Sequence, residues 1–190
     1  KEGKKLQESR ETPWQVYPRP QMRRDSYLNL NGCWDFHVNY ENQGQIRVPF
    51  CPESSLSGFK THYEEGSMLQ YSRTFTLPEG FHRGRVLLHI GAADQRAEVF
   101  LNGKPVGSHQ GGYEAFSFDI TDVLTENNRL SICCFDDLED QSYPYGKQTM
   151  NRGGMWYTPV SGIWQTVWLE WVPENYIENL DIQVDLKSAS

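Results

Sequence analysis

Apolar and polar positions alternate with a period of two along most of the chain, the signature of strands with one buried face. In the stretch 29–40, NLNGCWDFHVNY, Trp34, Phe36, Val38 and Tyr40 fall on one side and Asp35, His37 and Asn39 on the other. His37 lies on the polar side and takes no catalytic role. The stretch 99–122, VFLNGKPVGSHQGGYEAFSFDITD, organises the middle of the chain. Its β-prone start meets Asn102-Gly103, the dipeptide best suited to a tight I′ hairpin turn. Pro105 offers no ladder hydrogen bond, so the return strand is expected at a sheet edge or a bulge. Phe116, Phe118 and Ile120 then alternate with Ser117 and Asp119, a further strand with one apolar face.

Short strands are predicted at 46–50, stopped by Pro49 and Pro52, and at 85–90, 95–101 and 129–135. Leu69, Tyr71, Phe75 and Leu77 share one face of another strand with Arg73, which reads as a paired structural cation or an edge residue. The run 163–171, IWQTVWLEW, is bulky on both faces, which predicts a strand covered on both sides. Leu180, Ile182, Val184 and Leu186 alternate in the run 177–186, read as a strand whose partner lies outside the chain. Thr121 or Asp119 caps a single helical turn, and nowhere do apolar residues recur at helical spacing over ~11 residues. The start, 1–21, is polar with Pro13, Pro18 and Pro20, an extended lead-in pinned by Trp14 and Tyr17. The prediction is an all-β protein, a β-sandwich whose long loops, 53–66 and 141–162, cluster where binding sites sit.

Composition narrows this picture. A chain of 190 residues suits one domain, burying roughly 70% of its unfolded surface. Only 37% of residues are hydrophobic but 13% are aromatic, so a few large side chains fill the core. The net charge of -7 argues against nucleic acid or an anionic membrane as partner. A neutral ligand is the more natural one. No run approaches the ~18 apolar residues of a membrane span, and the Lys-rich start has no signal region. The missing initiator Met is read as the mark of a processed or excised chain. Cys33, Cys51, Cys133 and Cys134 lack metal-ligand spacing, and Cys133 and Cys134 would face opposite ways in a strand, so free thiols in a reducing, cytoplasmic setting are expected. The acidic loop 136–140 lacks the spacing of an EF-hand and reads as solvated rather than calcium-binding. No metal and no cofactor are expected.

A resemblance adds to this reading. NLNGCWDF, RVPFCPESSLSG, YSRTF, VFLNGKPVGSHQGGYEAFSFDIT and SGIWQTVWLEWVP, in this order and spacing, resemble the amino-terminal sugar-binding domain of family 2 glycoside hydrolases, the β-galactosidase and β-glucuronidase group. Gly146-Lys147-Gln148 adds to the match, which covers about residues 13–175. The resemblance implies a jelly-roll β-sandwich of roughly eight or nine strands, like a galactose-binding domain. It also implies a following immunoglobulin-like sandwich and a catalytic (β/α) barrel, on which two Glu residues act as acid/base and nucleophile with retention. Such a pair sits about 5 Å apart on a rigid scaffold. This chain offers no barrel to hold one, so no catalytic residue is assigned here. The expected organisation is a lead-in over 1–20, a jelly-roll domain over 21–175, and a linker or first strand of the next domain over 176–190.

In that family, loops of this sandwich reach over the barrel mouth and help bind the terminal sugar. The corresponding loop here is 147–161. The β-galactosidase branch carries a sugar-contacting Asp before the Met-Trp of this loop; here Gly154 precedes Met155 and Trp156, which argues against galactose specificity. Trp156 or Tyr157 has the chemistry to stack on a sugar face, and Lys147, Gln148, Asn151 and Arg152 to hydrogen-bond hydroxyls or a carboxylate. Equally, Trp156 and Tyr157 are suited to anchoring the loop to a neighbouring domain. Asn102, Gly111 and Gly112 are turn residues with no ligand. Three functions stay open: a non-catalytic domain of a retaining family 2 glycosidase, a free-standing carbohydrate-binding module or lectin, and a β-sandwich scaffold for protein contacts. The expected partners are carbohydrate, reached through the absent barrel, the following domains of the same chain and, for the full enzyme, a second copy of itself.

Overall fold

The computed structural model describes residues 5–6, 8–9, 11–81, 83–137 and 142–184. Among them the chain forms β1 (Leu28–Asn29), β2 (Gly32–Val38), β3 (Glu41–Val48), β4 (Met68–Phe75), β5 (Arg85–Ile90) and β6 (Ala93–Asp94). It continues with β7 (Arg96–Leu101), β8 (Lys104–Gln110), β9 (Phe116–Asp119), β10 (Asn128–Phe135), β11 (Gly162–Ile163) and β12 (Val167–Val172). A six-stranded sheet, β3-β2-β4-β10-β7-β8, faces a four-stranded one, β1-β12-β5-β9, and β11 pairs with β6 beside them. Every strand pairing is antiparallel. The protein is an all-β jelly-roll sandwich, with somewhat more strands than the resemblance implies.

The period-two pattern puts the large side chains between the sheets. Trp34, Phe36, Tyr71, Val99, Leu130 and Ile132 come from one sheet and Val86, Leu88, Ile90 and Leu169 from the other, all in one buried cluster. The Asn102-Gly103 turn has φ of 54° and 76°, as a I′ turn requires. Pro105 sits on edge strand β8, next to a register shift at Val99/Phe100. Asn102 also serves structure: its Nδ2 donates to Val123 O at 2.9 Å and its Oδ1 accepts from Arg129 N at 2.8 Å.

Several expectations are corrected. Tyr40 does not join the buried face: Asn39 and Tyr40 both take positive φ, turning β2 into β3, and Tyr40 is 81% exposed. The strand expected at 46–50 therefore begins at the turn and ends at Val48. The run 163–171 is broken, because Ile163 pairs with Ala93 of β6 while Val167 pairs with Ile90 of β5. The helical turn at Thr121–Val123 is 3-10, with Ile120 at its cap and no side-chain capping bond. Arg73 pairs with carbonyls rather than a carboxylate, donating to Leu30 O at 2.7 Å and to Asn31 O. Near the start the chain is not wholly extended, since Ser9 N–H donates to Lys5 O as in a helical turn. The run 177–186 forms no strand through Val184, and Leu186 lies outside the described residues.

β12 is covered on both faces as expected, and the lead-in is what covers it. Glu170, fully buried, faces outward from the sheet and accepts from Tyr17 Oη at 2.6 Å, Arg24 Nη1 at 2.9 Å and Arg19 Nη2, with His89 Nε2 at 2.8 Å. His89 stacks on Trp168 with centroids 4.8 Å apart, and Arg19 lies over Trp168. Trp14, by contrast, is half exposed; its ring meets Phe50 edge-on and its carbonyl accepts from Asn29 Nδ2 at 3.0 Å.

Burial favours the neutral Glu170 carboxyl, but bonds to His89 and Tyr17 and the nearby positive charge outweigh it and hold the group at about 2, below its ordinary 4.5. A depressed carboxyl stabilises the fold above its unfolded value and loses that contribution as pH falls toward the folded one. Unfolding free energy is therefore expected to drop by on the order of 3 kcal/mol between pH 4.5 and 2 from this group. Glu170→Ala, which strands Arg19 and Arg24, is expected to cost about 3–5 kcal/mol at pH 7 in urea unfolding. A loss under about 1 kcal/mol contradicts the assignment.

Candidate functional site

The loops 49–67, 111–115, 136–137 and 142–161 gather around the small β6/β11 pair at one end of the sandwich. Asp94 of β6 stands opposite Gly162 of β11. Its side chain is 3% exposed and accepts from Gln148 Nε2 at 3.3 Å. Gln148 is itself buried: Nε2 also reaches Tyr113 Oη at 3.2 Å and Tyr145 O at 2.9 Å, and Oε1 accepts from Val160 N at 2.6 Å. Around it the loop folds back on itself, Tyr157 N donating to Lys147 O at 2.8 Å and Thr149 N to Tyr157 O at 3.1 Å.

Two glycines make this packing possible. A Cβ at Gly112 would lie 2.1 Å from Asp94 Oδ1, and one at Gly162 2.1 Å from the Tyr71 hydroxyl oxygen. Gly112 also offers its carbonyl to Trp164 Nε1 at 2.8 Å, and Tyr113 meets that indole edge-on. On the other side Glu53 accepts from Ser161 N at 3.2 Å and Ser161 Oγ at 2.7 Å, with His62 Nδ1 at 3.5 Å.

Three carboxylates thus share a half-dry region. Burial, with the charges of Asp94, Glu53 and Asp137, pushes Asp136 up to about 7. Burial and Glu53 raise Asp94 to about 6 against the bond from Gln148. Burial and Glu53 push the Cys51 thiol up to about 12. None of the four cysteines is disulfide-bonded, and no group of His, Cys, Asp and Glu among the described residues is arranged to hold a metal ion. Of the acidic loop 136–140, residues 138–140 lie outside the described residues.

Two concavities flank His62 and Met150. One, of about 330 Å³, is lined by Tyr63, Leu69, Asp136 and Ser161. The other, of about 350 Å³, is lined by Glu53, Lys60, Thr149, Arg152, Thr158 and Pro159. The residues expected to bind a sugar divide. Trp156, at 42% exposed, Tyr157, at 67%, and Lys147 and Asn151 are open to solvent. Arg152 is exposed too, with Nη1 donating to Thr158 Oγ1 at 2.9 Å. Gln148 is different: its amide is engaged inside the loop and holds it in place. Asp94, Glu53, Lys60 and His62 were not singled out in the sequence. Asp94 stands in GAADQRAEV beside Gln95, Arg96 and Glu98, so no local pattern marks it as buried, and the polar loop 53–66 carries no periodicity to single out Glu53, Lys60 or His62.

The model of the glycosyl hydrolase 2 galactose-binding domain-like family matches residues 10–154. The chain belongs to this family. A β-glucuronidase from Bacteroides fragilis is 31% identical over 115 residues, 58% of this chain but 16% of the relative. A β-galactosidase from Thermoanaerobacter pseudethanolicus is 24% identical over 159 residues, 83% of this chain and 21% of the relative. The solved Faecalibacterium prausnitzii β-glucuronidase superposes with a TM-score of 0.61 at 24% identity, over 86% of this chain and 34% of that one. The family domain therefore spans a minor part of each relative it resembles.

A carboxyl raised by burial destabilises the fold once it ionises, so the Asp94 cost appears as pH rises from about 3.8 to about 6 and persists above. Asp94→Asn keeps an acceptor for Gln148 and removes the charge. It is expected to add about 1–3 kcal/mol of unfolding free energy at pH 8 and little at pH 4. Equal gains at both pH values contradict this reading.

Proposed function

We propose that this domain is the non-catalytic amino-terminal part of a retaining family 2 glycosidase of the β-glucuronidase and β-galactosidase group, and that the loop 147–161 forms one wall of its sugar site. The observation that carries the reading is the contrast within that loop. Gln148 is buried and fully engaged, while Trp156, Tyr157 and Arg152, a few residues away, face solvent. Aromatic rings held out by a fixed loop suit stacking on a sugar face, and they are costly to expose without a ligand or neighbouring domain to cover them. The organisation 21–175 for this domain, with 176–190 leading into a following one, is supported by Ile177, Ile182 and Val184, exposed at 62%, 70% and 71% and without strand partners.

One wall of a pocket holds a monosaccharide weakly, because few contacts must offset the loss of free motion. The chain alone is expected to bind simple sugars with Kd of about 1 mM or weaker and to hydrolyse no nitrophenyl glycoside. In the full-length enzyme Trp156→Ala is expected to lower kcat/KM about 5- to 10-fold, mainly through KM, the scale of one lost stacking contact. Micromolar binding by the chain alone, abolished by Trp156→Ala, makes it a lectin instead. Unchanged kcat/KM in the full enzyme removes the loop from the sugar site.

A further inference from the structure

β12 ends at Val172, and the chain leaves the sandwich through an irregular segment, 173–184, in which every residue is exposed except the half-buried Tyr176. A pair of guanidinium groups holds that ring: Arg24 Cζ stands 5.5 Å and Arg85 Cζ 5.9 Å from its centre. Both cations are themselves fixed. Arg24 Nη1 donates to the buried Glu170 at 2.9 Å and its Nη2 to Ile177 O, next along the chain from Tyr176, while Arg85 Nε donates to Asp119 Oδ2 at 2.7 Å. Bonding to Asp119 holds Arg85 above its ordinary pKa, and the charge of Glu178, from the exit segment, adds to the effect. The turn just before Tyr176 is equally confined. Pro173 has its φ locked by its ring, and a Cβ at Gly84 would lie 2.3 Å from Val172 O, so the chain ahead of β5 packs directly on the end of β12. Lead-in, sheet and exit segment therefore meet at one tyrosine.

We infer that Tyr176 is a positioning residue: clamped between Arg24 and Arg85, it makes the exit from the sandwich a rigid joint that fixes the direction of the chain toward the next domain. The inference rests on the proposed reading of this chain as one domain of a larger glycosidase and names the residues that set its register with the rest. The negative face of an aromatic ring attracts guanidinium. Here each guanidinium is oriented by a carboxylate of the sheet, so the ring is held in place without being fully buried. The joint matters because it stands far from the loop 147–161. That loop feeds the start of β12 and the joint follows its end, with six residues spanning about 20 Å between them. A slack of about 10° at the exit swings a contact at that distance by roughly 3.5 Å, enough to lift Trp156 off a sugar face. A flexible linker gives no such control.

The test begins with backbone amide NMR relaxation in the 190-residue chain. The amides of 174–178 are expected to show order parameters like those of β12, about 0.85, and Tyr176→Ala to drop them below about 0.6 while the β2 and β4 shifts stay in place. Tyr176→Phe, which keeps a ring face, is expected to retain the rigid value. Order parameters already below about 0.6 in the unaltered chain, or unmoved by Tyr176→Ala, overturn the inference. In the full-length enzyme Tyr176→Ala is expected to raise KM roughly threefold with kcat little changed, and Tyr176→Phe to restore it. Tyr176→Ala added to Trp156→Ala is expected to do no further harm, since both act through the same ring. Effects that multiply overturn the link between the joint and the loop. An unchanged KM for Trp156→Ala alone speaks instead against the sugar-site reading, and the order parameters then decide the joint by themselves.

Discussion

The side-chain amide of Gln148 holds the candidate site together. A buried amide must find partners for both its N–H groups and its oxygen, and here those partners come from four separate places: Asp94 of β6, Tyr113 after β8, and Tyr145 and Val160 of its own loop. Its burial therefore fixes where the loop leaves and rejoins the sandwich. The rings of Trp156 and Tyr157 project from that fixed base. The requirement reaches further: Asp94 must stay close, so residue 112 must lack a Cβ, and the β6/β11 pair must form, which splits the run 163–171 between two partners.

The opposite face of the molecule uses charge differently. Glu170 gathers Tyr17, Arg19, Arg24 and His89 over the outer face of the four-stranded sheet and binds the lead-in to the sandwich. At the loop end, by contrast, burial and neighbouring carboxylates push Asp94 and Asp136 toward the neutral form, while Lys60 and Arg152 are exposed. Charge is paired on one side of the molecule, and carboxyls raised by burial collect where the loops meet. That is the pattern expected of a binding region, where polar groups are kept for a ligand at some cost to stability.

The sandwich was largely legible from alternation, because each strand needs only a period of two to reveal its buried face. It failed where a local turn overrides the pattern, as at Asn39-Tyr40, and where a run is shared between sheets, as in 163–171. It also failed at 177–184, where alternation occurs without a partner strand to bury it. In the loops the sequence showed which residues have sugar chemistry but not which are consumed by the fold. Gln148 and Arg152 are both polar residues of one loop, and only the tertiary bonds separate the anchor from the exposed cation. Glu53, Lys60 and His62 come from a loop nearly a hundred residues earlier, and no local pattern links them to it.

The most direct measurement is a crystal structure of the protein together with the domains that follow it, with a monosaccharide inhibitor bound in the catalytic barrel. The account predicts side-chain atoms of Trp156 or Tyr157 within about 4 Å of the sugar or of the group attached to it. A sugar enclosed wholly by the barrel, with the loop 147–161 packed only against protein, contradicts it.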